Sequence, residues 1–163
     1  LPHMKSRLPP ALSASLEPLF KVLSPERAMG KLTGGNAGPA ARIDLVDCTL
    51  TEIGQTGPIA AALWLYIDEL DRSHQISQQI STPTGSFWHG IMHRREGDFP
   101  NSHYWFRKAG EHPAMTGITG YDPHQFIDAV AADGGRNNPE LVALQRQEWF
   151  VLFEWIALEN QPQ

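Results

Sequence analysis

Proline stands in this chain at places where helices begin. Gly57-Pro58, Asp122-Pro123 and Asn138-Pro139 each set a proline directly after a residue that can cap a helix. Proline suits the first helical position, where its missing N–H costs nothing and its fixed φ is already helical; deeper in a helix or in a central strand it is disruptive. Apolar residues then recur at helical steps. Ile59, Leu63, Tyr66, Ile67 and Leu70 follow Pro58, and Leu141, Val142, Leu144, Trp149, Leu152, Phe153 and Ile156 follow Pro139. Runs of strand alternation are absent. The fold class that follows is all-α: an irregular single-domain bundle of about five main helices with an extended N-terminal segment.

The first of these helices is expected from Pro58 to Ile80, with Pro83 and Gly85 marking its break. A second follows Thr84 and ends near Glu96 and Gly97. Asn101 is expected to cap a third that stops at Gly110, Asp122 opens a fourth closed by Gly134-Gly135, and Asn138 opens a fifth. Residues 58–163 would form the core domain and residues 1–57 a partly irregular extension packing on it. Within that extension Leu12, Leu16, Leu19, Phe20 and Leu23 have helical spacing with Pro18 as an interruption, and Gly30 to Pro39 reads as a flexible loop. Ile43 to Leu50 is compatible with either a strand or a helical turn.

At 163 residues the chain is about one domain long and needs no disulfide staple, and its single cysteine, Cys48, allows no intrachain disulfide. That usage fits a reducing, cytoplasmic setting. A formal net charge of −5 argues against a dedicated nucleic-acid binder, although Arg94, Arg95, Arg107 and Lys108 could form a local basic patch. No apolar run approaches the roughly 18 residues of a membrane span, and Lys5 and Arg7 lead into prolines and serines rather than the apolar core of a signal peptide. The expected partner is a small molecule, not nucleic acid or a membrane.

The chemistry is concentrated between residues 68 and 113. His89 and His93 are one helical turn apart, and Glu96 is three residues further on, so two imidazoles and a carboxylate share a helix face. His-x-x-x-His on a helix brings two ring nitrogens to one ion, typically zinc, with iron or manganese as alternatives. His74 follows Leu63, Ile67 and Leu70 on the core-facing side, and the short link from Ser81 to Thr84 makes the two helices antiparallel neighbours, so His74 can be the third ligand. Glu96 and Glu148 are the candidates for a further ligand or a catalytic general base.

Other readings compete with this one. In a non-catalytic binding module, Arg94, Arg95, Arg107 and aromatics such as Tyr104 would hold an anionic or sugar-like ligand in an open cleft. In a structural or interaction protein, the same histidines, arginines and glutamates would form a buried, mutually satisfied network. Asp68, Glu69 and Asp71 read as a solvated helix face, and His112, before Pro113, as a charged loop residue favoured by the preceding helix dipole.

The stretch His89 to Pro113 (HGIMHRREGDFPNSHYWFRKAGEHP) resembles a group of uncharacterised bacterial helical proteins that share a segment of the form H-x-x-x-H-R-R-E-x-D-x-x-N-x-x-Y-W-F-R. His74-Gln75, Asp122-Pro123 with Phe126, Gln145 and Glu148-Trp149 extend the likeness over residues 58–156. The resemblance implies a shared helical fold and no particular activity. A looser likeness, to the DinB family of metal-binding helical bundles, concerns architecture alone: there the His-x-x-x-His pair comes late in the chain, whereas here two further helices follow it.

Overall fold

The computed structural model describes residues 7–35 and 38–159; residues 36–37 of the expected glycine-rich loop lie outside them, as do both chain ends. Among the described residues there are eight α-helices and one 3-10 turn, and no strand. In chain order the helices are α1 (Pro10–Val22), α2 (Ala40–Ile53), α3 (Pro58–Tyr66), α4 (Leu70–Ser77), α5 (Pro83–Glu96), α6 (Phe99–Ala109), α7 (Pro123–Asp133) and α8 (Pro139–Glu159), with the 3-10 turn Pro113–Gly117 between α6 and α7. None of them is long and apolar enough to cross a membrane.

The all-helical class is as expected, but eight helices replace the expected five, for two reasons. The expected extension folds into α1 and α2, and α1 runs straight through Pro18. Ile43 to Leu50 thus lies inside a helix. The long helix from Pro58 is two helices, because Asp68 adopts a left-handed backbone with φ of 65° and turns the chain between Tyr66 and Leu70.

Side-chain caps hold four of the eight helix starts, those of α5 to α8. Thr82 accepts from Gly85 N, Asp122 from His124 N at 2.8 Å, and Asn138 from Glu140 N at 2.9 Å. The cap of α6 is Asp98, which accepts from Asn101 N at 3.2 Å; Asn101 is therefore inside the helix rather than its cap.

Two short helices occupy the centre. In α3 every residue from Ile59 to Tyr66 is buried, as suits a helix that is apolar all round. In α5 every residue from Thr84 to Arg95 is buried, yet that stretch includes Ser86, His89, His93, Arg94 and Arg95. A polar helix sealed on all sides must find partners for its side chains inside the protein, since an unpaired buried polar group costs about 1–3 kcal/mol.

Close approach to α5 depends on two glycines. A Cβ on Gly90 would sit 2.7 Å from the Phe106 ring, where Ser102 Oγ donates to the Gly90 carbonyl at 2.7 Å. A Cβ on Gly85 would lie 2.1 Å from the backbone carbonyl of Ile80, in the link that sets α4 against α5. A backbone atom has no rotamer by which to yield. Gly85→Ala is therefore expected to destabilise the protein by about 3 kcal/mol, at the upper end of overpacking costs, measured by urea denaturation.

Candidate metal centre

His89 and His93 project from α5 and are buried, at 3% and 6% exposure. His74 comes from α4 and is half-buried, so it forms the outer edge of the group. Its ring centroid lies 4.8 Å from that of His89 and 5.2 Å from that of His93, edge-on to both, and the His89 and His93 centroids are 4.7 Å apart. One ring nitrogen from each of the three falls within 4.8 Å of the others, close enough to hold one metal ion.

The break between α3 and α4 brings His74 there, and Arg95 supports the break. Its Nη1 donates to the Leu65 carbonyl at 3.1 Å, an acceptor it shares with the Asp68 N–H at the end of α3, and its Nη2 pairs with Asp68. Ser73 Oγ then ties α4 back to the Ala61 carbonyl of α3 at 2.8 Å. Asp68 is thus the partner of a buried guanidinium, not part of a solvated face. Burial lowers the Arg95 pKa, and the Asp68 charge opposes that shift.

Protonation states favour a cation. His93 Nδ1 lies 2.7 Å from Glu96 Oε1. A carboxylate only accepts, so Nδ1 carries the proton and Nε2 keeps its lone pair; this is the arrangement by which an outer carboxylate orients a metal-binding imidazole. Burial, followed by the charges that His93 and His74 carry when protonated and by Lys108, pushes His89 down to about 3. His74 is lowered as well, chiefly by burial. Both ring nitrogens of His89 are sealed from solvent and neither has a hydrogen-bond partner; Trp88 Nε1 on the same helix is also sealed and unpartnered, but it is a donor only, whereas the His89 ring carries a lone pair. Trp105 of α6 covers it, with ring centroids 3.8 Å apart and planes 17° from parallel. Lys108 Nζ lies 5.0 Å from the Trp105 ring centroid.

The remaining residues expected at a site are elsewhere. Arg94 and Glu148, both fully buried, form a two-pronged ion pair at 3.0 and 2.7 Å; Arg94 lies over the Phe126 ring, and Tyr121 donates its hydroxyl to the same carboxylate. Gln145 reaches Arg94 at 3.4 Å and donates to the Met29 and Lys31 carbonyls at 2.9 Å each. Glu148 is therefore committed to Arg94 and Tyr121 and does not join the three histidines. Arg94 and Arg95 point inward, so they do not line an open cleft as the binding-module reading required. Arg107 and Tyr104 are exposed on α6. Glu96 touches His93 and is half-exposed; its place is beside a ligand. His112 is buried and neutral rather than charged: Ala114 N donates to its Nδ1 at 3.1 Å, its Nε2 lies 2.9 Å from Thr84 Oγ1, and burial lowers its pKa.

Trp105, Asp68 and Tyr121 were not legible as part of these groups. Trp105 looked like any core aromatic, and no local signal separates it from Phe106. Comparison of the chain with protein-family models, with curated proteins and with solved structures finds no match to any of them.

Proposed function

We propose that this protein binds one divalent metal ion through His74, His89 and His93, and that its activity is a hydrolase-like reaction at that ion. The observation that carries the reading is His89: a buried imidazole with two unpartnered nitrogens beside two other imidazoles is costly unless something takes a lone pair. Three imidazoles match the donor set of catalytic zinc, and they leave a coordination position free. In such a position a divalent ion supplies an activated water near neutral pH.

The chain's own groups supply the rest. Glu96 holds the proton on His93 Nδ1 and so keeps Nε2 as the donor atom. Trp105 shuts water from one side of His89, and half-buried His74 marks the side from which a substrate can enter. Membership in the bacterial group that shares the H-x-x-x-H-R-R-E segment belongs to the same proposal.

Elemental analysis tests it, on protein purified without a histidine tag or chelator. About one zinc, iron or manganese per chain is expected, falling below about a tenth in His89→Ala and in His93→Ala. Glu96→Gln is expected to stay folded and to weaken metal affinity about 10–100-fold. Wild-type protein that takes up no stoichiometric metal even after reconstitution would sink the reading.

A further inference from the structure

A second polar cluster lies apart from the three histidines, where α6 meets the start of α7. His103 Nε2 is 3.0 Å from Asp128 Oδ1, and His103 Nδ1 is 2.8 Å from His124 Nδ1, with the two rings parallel to within 2°. With both rings neutral, these distances fix the tautomers. A carboxylate only accepts, so His103 Nε2 carries the proton donated to Asp128. The neutral His103 ring then offers Nδ1 as an acceptor, and His124 Nδ1–H must donate to it. His124 Nε2 is left with a lone pair. It has no protein partner among the described residues and is not sealed from solvent.

His124 lines a cleft of about 910 Å³ between α6, the 3-10 turn and α7. Arg107 lines the same cleft, one turn along α6 from His103, a spacing that puts side chains next to each other. Among the described residues no carboxylate lies within ion-pair distance of Arg107. Two acids share the cleft wall. Asp122 spends Oδ1 on capping His124 N and Gln125 N; Glu111 is exposed, and its charge disfavours a multiply charged anion. The cleft therefore offers a forked cation and, on the same lining, a hydrogen-bond acceptor whose orientation is set by Asp128 and His103. A site for fully deprotonated anions would present donors only.

We propose that this cleft binds a small oxyanion that keeps an O–H group, such as hydrogen phosphate or a hydroxy-carboxylate. The anionic oxygens accept from Arg107, and the ligand's hydroxyl donates to His124 Nε2. The site needs no metal and does not depend on the three histidines of α4 and α5.

The test compares ligands that carry a hydroxyl with ligands that lack one. Inorganic phosphate near neutral pH carries at least one O–H, sulfate carries none, and lactate and propionate form a parallel pair. Each is titrated into the full chain, wild type and His89→Ala, while the ring resonances of His103 and His124 are followed by NMR. His89→Ala removes the metal centre as a source of anion binding. Phosphate is expected to bind about tenfold tighter than sulfate, with both weakened about tenfold by Arg107→Ala, and the preference lost in His124→Phe. A like preference for lactate over propionate would extend the ligand class to hydroxy acids; its absence with phosphate binding intact would narrow it to phosphate. Equal binding of phosphate and sulfate would overturn the proposal, as would affinity unchanged by Arg107→Ala, or no shift at either histidine up to about 50 mM phosphate.

Discussion

Arg94→Met is expected to cost about 3–5 kcal/mol of folding stability at neutral pH, because it leaves the Glu148 carboxylate buried without a counter-charge. Both side chains are fully buried, and they meet through two parallel hydrogen bonds. Tyr121 and Gln145 remain in the variant, but neither carries a positive charge. The Tyr121 hydroxyl is itself held well above its usual pKa, first by burial and then by the Glu148 charge, so it stays a neutral donor. Urea denaturation should show the loss as a lower midpoint. The double variant Arg94→Met with Glu148→Leu should recover most of it, since an apolar pair needs no compensating charge. Metal content should be unchanged in both, because the pair joins α5 to α8 and does not touch the three histidines. A loss below about 1 kcal/mol in the single variant would mean that Glu148 finds water or a proton at little cost, and that the pair is not what fastens α8.

How much of this was legible depends on how far apart in the chain the deciding partners lie. Helix starts are local, and Gly57-Pro58, Asp122-Pro123 and Asn138-Pro139 are all correct. The spacing of His89 and His93 is local too. The break at Asp68 is not: Leu63, Ile67, Leu70 and His74 keep helical steps across it, with no glycine or proline to mark it, and the left-handed residue is held by Arg95, 27 positions away. Sequence could not decide whether Arg94 faces a cleft or an internal acid, since its partner lies 54 positions on. The histidine group depends on geometry that spacing alone does not encode. The expected continuous helix would have carried His74 along one axis, whereas α4 starts anew after the turn and still brings His74 against α5. The pairing of His103 with His124, across 21 positions, was beyond any periodicity argument.

Burial of α5 underlies both the internal ion pairs and the unpartnered imidazole. Of the six buried polar side chains on this central helix, Thr84, His93, Arg94 and Arg95 find side-chain partners in His112, Glu96, Glu148 and Asp68. Both ring nitrogens of His89 are sealed and have none, so the stability of the metal-free protein should depend on keeping that ring uncharged. Its pKa falls from 6.5 in the unfolded chain to about 3 in the folded one. Between those values the unfolded state binds the proton and the folded state does not, so acid favours unfolding. Stability from this group is fully present above about pH 6.5 and is lost progressively as pH falls toward 3, by an amount on the order of 4 kcal/mol. His74 and His112, also lowered, add in the same direction. His89→Leu removes one titrating group and leaves every carboxylate in place. The difference between wild-type and variant stability curves, measured by urea denaturation of metal-stripped protein from neutral pH to about pH 4, should therefore slope with pH, the wild type losing more. Parallel curves would show that His89 is protonated as easily in the fold as out of it, which would require water or a carboxylate at the ring and would remove the unpartnered imidazole on which the metal reading rests.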